Sequence, residues 1–277
     1  MIAVCITTYN HEAFIAQAIE SVQVQECDEP LRIYIGDDAS TDGTQRICER
    51  YAAQDQRIVY VHRPQNMGLV ANTIDLYHRI EADGCEYIAM LDGDDYWIDT
   101  HKLQTQVDYM RAHPECGLVH TAAYDEEDGK RMDRETAVKP TGDIRTRYDL
   151  SGALHTNSSV LFCSELLRLV DLYEIEKQHF PVLDYPLYGL FSQCTEFGYI
   201  PDYTAVQRMH VSVSHPVRFG TYMKYKKERI RMWKWLDKQG NGNFHFKVYK
   251  AFLWYIWQFF YFLFAYIKKK LYLCSRF

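Results

Sequence analysis

Across its first 91 residues the chain alternates short apolar runs with helix-length amphipathic stretches, and no other feature narrows the possible folds as far. Ile2–Thr7 (IAVCIT), Leu31–Gly36 (LRIYIG), Arg57–His62 and Tyr87–Leu91 (YIAML) read as strands bounded by turn-forming residues. Between them, His11 to about Gln25, Gln45–Gln54 and Val70–Glu81 read as helices. In the first helix Ile15, Ala18, Ile19 and Val22 recur at helical spacing, and Asn10 stands where an N-cap would. A β-α-β-α-β-α-β order demands right-handed crossovers. It predicts an α/β domain with a mainly parallel sheet and helices on both faces.

Parallel strands bring their carboxyl ends to one edge of the sheet, where open α/β folds bind ligands. Three strands here end in polar clusters: TTYN after the first, DDASTDG after the second and DGDD after the fourth. The topology therefore gathers clusters that are about thirty or more residues apart in sequence. The last cluster places Asp92, Asp94 and Asp95 around one glycine. Three acids in four residues repel one another, and a hard divalent cation completing its shell with phosphate oxygens would relieve that repulsion. The plainer alternative is a solvated acidic turn that caps the next helix.

Other chemistries lack their signatures. There is no G-x-G-x-x-G after the first strand, no G-x-x-x-x-G-K-[ST], no G-x-S-x-G and no H-E-x-x-H. The eight cysteines include no C-x-x-C pair and sit in apolar surroundings, so reduced, buried thiols are expected, with neither a zinc site nor a disulfide framework. The chain opens directly on a strand pattern, so no leader is expected. Beyond the acidic turn, Lys102–His113 reads as a helix, Leu118–Tyr124 as a strand and Asp125–Arg147 as a charged loop or lid. Ser159–Phe162 reads as a strand, Glu165–Leu172 as a short helix, and Tyr185–Ser192 as a helix preceded by Asp184. Gly198–Ile200 and Thr204–His210 read as two late strands.

The stretches CITTYNHEAFIAQAIESVQVQ, IYIGDDASTDGT, Asn66–Gly68 and YIAMLDGDDYW followed by KLQTQV resemble glycosyltransferase family 2 in order and spacing over residues 1–110. The likeness continues more weakly to about residue 215, through Ser158-Ser159, Asp184 and Gln207-Arg208-Met209-His210, and does not reach residues 216–277. The resemblance implies a GT-A fold, Rossmann-like, over residues 1–215, with a nucleotide-sugar-binding half (1–110) and an acceptor-side half (111–215). It implies inverting transfer from a nucleotide-diphospho sugar, a UDP-sugar in first place, with Mg²⁺ or Mn²⁺. Thr7, Thr8, Tyr9 and Asn10 would line the nucleobase pocket, and Asp38 would accept a hydrogen bond from the base. Asn66 and Gly68 would sit near the nucleotide. Asp94 would hold the metal directly, and Asp92 would serve ribose and metal. Asp184 would be the general base. The family usually has an acidic pair there and this chain has Leu183-Asp184; by its position alone Asp184 reads first as an ordinary N-cap. Arg208 and His210 would reach the diphosphate, Asp95 is a further candidate for acceptor or diphosphate contact, and Trp97 either stacks on a sugar ring or fills the core. The family often has Tyr-Arg-x-His where this chain has Gln207-Arg208-Met209-His210, so its tyrosine is missing.

The net charge of −6 hides an asymmetry. Residues 216–277 hold fourteen Lys and Arg against two Asp and Glu, whereas the preceding 215 residues hold seventeen against thirty-five. Within Ala251–Ile267, ten of seventeen residues are aromatic, with Lys247 and Lys250 before the run and Lys268, Lys269 and Lys270 after it. As a helix this run would span roughly 25 Å, short of the roughly 30 Å hydrocarbon core, and Trp and Tyr prefer the headgroup boundary. The expectation is a helical, membrane-associating extension over 216–277 that lies on an anionic leaflet through residues 244–277, with a short transmembrane helix and a soluble packing or oligomer helix over 251–267 as the alternatives. A basic helix over Tyr222–Lys238 would help, and no nucleic-acid partner is expected. Together with this tail, the resemblance implies a cytoplasmic enzyme, peripheral on the inner face of a bacterial-type cell membrane, with a lipid-linked saccharide acceptor of surface polysaccharide synthesis. A sugar nucleotidyltransferase and a non-catalytic sugar-nucleotide-binding membrane scaffold are the competing readings. The first lacks its glycine- and lysine-rich opening loop here, and the second does not need Asp92, Asp94 and Asp184 together.

Overall fold

The computed structural model describes residues 1–132, 144–145, 156–209, 219–240, 242–246 and 248–257. The chain divides into two compact units, Met1–His210 and Val211–Phe277, a few residues before the break suggested by charge and motif content. In the first unit β1 (Ile2–Thr8), α1 (Ile15–Gln23), β2 (Leu31–Asp37), α2 (Thr44–Gln54), β3 (Ile58–His62), α3 (Leu69–Ala82) and β4 (Tyr87–Asp92) follow in the expected order. After them come β5 (Tyr96–Trp97), α4 (Lys102–Ala112), β6 (Cys116–Glu127), β7 (Lys130–Met132), β8 (Ile144–Arg145), β9 (Val160–Cys163), α5 (Leu172–Lys177), α6 (Asp184–Phe191) and β10 (Glu196–Arg208).

All ten strands join one sheet in the order β3-β2-β1-β4-β9-β6-β10-β5, with β7 beside β6 and β8 beside β10. The four strands of the repeating half are parallel. The other half is mixed, which corrects the expectation of a mainly parallel sheet throughout. There β9 runs antiparallel to both β4 and β6, and β10 runs parallel to β6 but antiparallel to β5. The crossover rule acts only where a helix links consecutive parallel strands. Past α4 the described helices α5 and α6 link β9 to β10, which run in opposite directions on either side of β6, so the rule does not apply to them.

Other boundaries also move. The two late strands are one, β10, broken by register shifts at Ile200, Tyr203 and Ala205. Pro201, which has no N–H to give a ladder, lies within this break. The charged stretch after Asp125 begins in order: β6 runs to Glu127 and turns through Asp128 and Gly129, both at positive φ (49° and 73°), into β7. Residues 133–143 and 146–147 of that expected loop lie outside the described residues. The expected helix Glu165–Leu172 resolves into 3₁₀ turns over Ser164–Leu169 followed by α5.

The core beneath the site edge is apolar. Ile2, Val4 and Ile6 of β1, Ile33 and Ile35 of β2, and Ala89 and Leu91 of β4 pack with Ile15, Ile19 and Val22 of α1 and Leu103 and Val107 of α4. A fully buried aliphatic side chain of this kind contributes about 1.5–3 kcal/mol.

The second unit holds α7 (Phe219–Gln239) and a further helical stretch over residues 248–257. Phe244 is buried against Trp233, ring centres 6.0 Å apart, and Lys226 Nζ lies 4.4 Å from the centre of the Trp254 ring. Phe246, Tyr249, Phe252, Leu253 and Trp257 are exposed. Among the described residues no helix is long and apolar enough to cross a membrane. Lys247, residues 258–267 and Lys268, Lys269 and Lys270 lie outside them.

Candidate functional site

The exits of β1 and β2 are stitched together by side chains. Thr7 and Thr8 are buried at the end of β1, and Tyr9 beyond them is 44% exposed. Asn10 does not cap α1. The helix begins at Ile15 without a side-chain cap, and Asn10 adopts a left-handed conformation (φ 56°). Its N–H donates to Ser40 Oγ at 2.9 Å and its Oδ1 accepts the Thr41 N–H at 2.8 Å. The demand for turn geometry between the two strand exits outweighs the capping preference of asparagine.

The two aspartates that end β2 divide the work. Asp37, fully buried, accepts the Ser40 N–H and hydroxyl through Oδ1 and the Tyr60 hydroxyl through Oδ2, with His62 Nδ1 3.1 Å away. Asp38 points the other way. Its carboxylate accepts the N–H groups of Met67 (2.7 Å) and Gly68 (2.9 Å), and its main-chain oxygen accepts Asn66 Nδ2 at 3.2 Å. Gly68 sits at φ 88°, a conformation open to glycine and strained for other residues, and so both N–H groups can converge on one carboxylate. Asp38, Asn66 and Gly68 thus form one unit, and the remaining lone pairs of Asp38 are what it could offer a ligand.

The acidic turn at the end of β4 lies against the β1 exit. The Gly93 N–H donates to Thr7 O at 2.9 Å, and a Cβ at Gly93 would come within 2.8 Å of Thr8 Cβ and Oγ1. Only glycine allows the approach. Thr8 Oγ1 is buried with no hydrogen-bond partner among the described residues. Burial, the neighbouring charge of Asp94 and the more distant charge of Asp184 push the Asp92 carboxyl up to about 7, against a lowering hydrogen bond from Asn157. Asp94 is partly exposed, with His11 Nε2 at 3.9 Å from its Oδ2. These two carboxylates fit a hard divalent cation. They are oxygen donors separated by Gly93 alone, and their mutual repulsion is what a cation would relieve. Among the described residues no three His, Cys, Asp or Glu side chains close around a common point. An open pair that leaves positions for phosphate oxygens suits Mg²⁺ or Mn²⁺ better than a closed cage.

Asp95 and Trp97 turn inward, which corrects the expected place of Asp95 at the ligand and leaves Trp97 filling the core. Asp95 is 2% exposed; it accepts the Ser158 hydroxyl at 2.7 Å and the Arg208 N–H at 2.9 Å. Trp97 is 4% exposed and donates its indole N–H to Ser158 O at 2.8 Å. Arg208 also lies in the wall. Its guanidinium donates to Asp94 O at 2.6 Å and to Gln17 Oε1, pairs with Glu126 at 3.4 Å and stacks over Tyr96 at 4.5 Å. It braces the acidic turn from behind. His210 lies outside the described residues.

Asp184 is the first residue of α6. The cap position belongs to Leu183, and no side chain caps the helix, so Asp184 does not play the N-cap role that its position also allowed. Its Oδ1 is buried, and its charge is felt at Asp92 and at Tyr188. Sequence reasoning missed Asn157, which donates to Asp92 Oδ1 at 3.2 Å and accepts the Tyr188 hydroxyl at 2.6 Å. Its signal was adjacency to Ser158-Ser159. It missed Asp37 as well, because side by side in sequence Asp37 and Asp38 look alike.

Comparisons with known proteins come in three kinds. The sequence model described as Glycosyl transferase family 2 matches residues 3–172. An uncharacterised protein of Mycobacterium tuberculosis is 30% identical over 238 residues, covering 85% of this chain and 63% of its own length. The chain therefore spans less than two-thirds of that relative. S. aureus TarS 1–349 in complex with UDP-GlcNAc superposes with a TM-score of 0.58 at 16% identity, over 84% of this chain and 65% of that one. The mannosyltransferase PcManGT from Pyrobaculum calidifontis, in complex with GDP-Man and Mn²⁺, superposes with a TM-score of 0.57 at 18% identity, over 90% of this chain and 69% of that one. At these identities the two structures speak for the fold, which is a GT-A-like α/β architecture.

Proposed function

The chain belongs to glycosyltransferase family 2, and from that premise we propose an inverting, metal-dependent transfer of a sugar from a nucleotide-diphospho sugar to a hydroxyl of a saccharide acceptor. The observation that carries the reading is convergence. The β1 exit, the Asp38 unit, the Asp92–Asp94 turn and the start of α6 come from four separate stretches, and together they frame one edge of the sheet. UDP-sugars stand first among donors. The UDP-GlcNAc and GDP-Man bound in the two similar structures support the donor class without choosing within it.

In this reading Thr7, Thr8, Tyr9 and Asn10 border the base, and Asp38 offers it an acceptor from the ordered 66–68 turn. Asp94 and Asp92 would hold Mg²⁺ or Mn²⁺, which supplies the positive charge that neutralises the departing diphosphate. Asp184 takes the proton of the acceptor hydroxyl as that oxygen attacks the anomeric carbon from the face opposite the diphosphate. A single displacement inverts configuration and needs no nucleophile from the protein. Arg208 holds the main chain of Asp94 and so keeps the acidic turn in register with β10.

The acceptor is proposed to be a lipid-linked saccharide of surface polysaccharide synthesis, met at the inner face of the cell membrane. The basic balance of residues 216–277 and the exposed aromatics of 246–257 support this. Near an anionic leaflet each lysine gains roughly 1 kcal/mol.

The test is a panel of UDP-, GDP- and dTDP-sugars with Mn²⁺, scored by nucleotide release with and without saccharide acceptors. Release of a nucleoside diphosphate that rises with acceptor supports transfer. Release of pyrophosphate instead, or binding without turnover of any donor, overturns it.

A further inference from the structure

Asn157 stands between the end of β4 and the helix that begins with Asp184. Its Nδ2 donates to Asp92 Oδ1 at 3.2 Å, and its Oδ1 accepts the Tyr188 hydroxyl at 2.6 Å. The two ends of the amide are not interchangeable. When Asp92 is ionised its carboxylate only accepts, so the NH₂ faces Asp92 and the oxygen takes the Tyr188 O–H. Tyr188 lies four residues after Asp184 on α6, one turn along the same face. Its ring is wedged against Phe162 and Phe191, with centres 6.4 and 6.2 Å away.

The main chain beside Asn157 is equally fixed. Ser158 accepts the Asp92 N–H at 3.1 Å, donates to Asp95 at 2.7 Å, and accepts the Trp97 indole N–H at its carbonyl at 2.8 Å. Next to it, Ser159 O accepts Gln106 Nε2 at 2.9 Å. A side chain this firmly based can transmit position rather than merely fill space.

We propose that Asn157 is a positioning residue that sets the spacing between the donor-side carboxylate Asp92 and the base helix, through its paired bonds to Asp92 and Tyr188. The inference rests on the glycosyltransferase reading and adds to it a mechanical link between donor and acceptor halves. It assigns Tyr188 the role of carrying that link into α6.

The experiment is a double-variant cycle in the full chain: wild type, Asn157→Ala, Tyr188→Phe and both together. Transfer kcat and donor KM are measured beside the Kd of Mn²⁺ with UDP by calorimetry, or with GDP or dTDP if the donor panel selects those. Tyr188→Phe keeps the ring and leaves the Asn157–Asp92 bond in place. It should lower kcat about tenfold while KM and Kd stay within about twofold. Asn157→Ala should lower kcat and weaken Kd by about 10–100-fold, the usual cost of removing a group that orients a ligating carboxylate. The double variant should be no worse than Asn157→Ala, because one path carries both effects. A wild-type kcat in Tyr188→Phe, or single losses that multiply in the double variant, overturns the inference. Asn157→Ser, which keeps a donor, replaces the alanine if that variant fails to fold. A wild type that neither binds a Mn²⁺–nucleotide nor turns over any donor overturns the glycosyltransferase reading, and this inference with it. An active wild type with multiplicative losses overturns this inference alone.

Discussion

Lys102 offers the sharpest test of how the site is supported. It is the first residue of α4 and is fully buried. Its Nζ lies 4.4 Å from the centre of the Trp97 ring and donates to Gln106 Oε1 at 2.5 Å. Gln106 in turn donates to Ser159 O at 2.9 Å and Val119 O at 3.3 Å. Burial pulls the Lys102 amine down from 10.5 to about 7. Between those values the unfolded chain holds the proton and the folded protein does not, so stability rises with pH across that window. Below pH 7 both states are charged and the penalty is complete. The difference of about 3.5 units corresponds to about 5 kcal/mol at most, and the ring contact and the hydrogen bond to Gln106 offset part of it. Lys102→Met keeps a long unbranched side chain and removes the charge. The variant should exceed the wild type in stability by about 2–4 kcal/mol at pH 7, and the gap should close toward pH 10. Urea unfolding of both proteins at several pH values reads the gap directly, since every other titrating group is common to the two. A gap that stays constant from pH 7 to pH 10 refutes the reasoning.

Four further outcomes are expected. Asp94→Asn should preserve the fold and remove most Mn²⁺-dependent turnover, because an amide cannot replace carboxylate charge beside a phosphate-bound cation; full activity at limiting Mn²⁺ would exclude the assignment. Asp184→Asn should leave donor affinity by calorimetry nearly unchanged while transfer falls about 10²–10⁴-fold, and affinity that collapses with rate would make Asp184 a donor ligand instead. Asp38→Asn sets an NH₂ against the N–H of Met67 or Gly68, so the 66–68 turn should loosen at a cost of about 1–3 kcal/mol, visible as a raised donor KM with a smaller change in kcat. Because Phe244 packs on Trp233, the tail should be cut after residue 246; the shortened protein should stay folded, act on a water-soluble acceptor analogue and lose co-sedimentation with anionic vesicles, and equal sedimentation of both forms would show that the anchor lies elsewhere.

The alternating strands and helices of residues 1–92 were legible because local patterns there agree with one another. Periodicity sets each element, and the crossover rule then places the exits of β1, β2 and β4 on one edge without any knowledge of contacts. Asp92 and Asp94 could be singled out for the same reason: a charge cluster at a strand exit is a one-dimensional signal. The second half of the sheet was not legible, since β9 joins by antiparallel pairing with both neighbours and β10 is a single strand broken at Pro201. No local pattern specifies either. Direction of side chains was also beyond the sequence. Asp37 and Asp38 are neighbours, as are Asp94 and Asp95, yet Asp37 and Asp95 are held by buried side-chain partners, while Asp38 ties down the 66–68 turn and Asp94 stays partly exposed. Asn157 became visible only when Asp92 and Tyr188, 65 and 31 residues away in the chain, were found at its two ends. Composition and spacing can locate charge, but which carboxylate is neutralised by partners and which remains for a ligand depends on long-range hydrogen bonds that exist only once the sheet has closed.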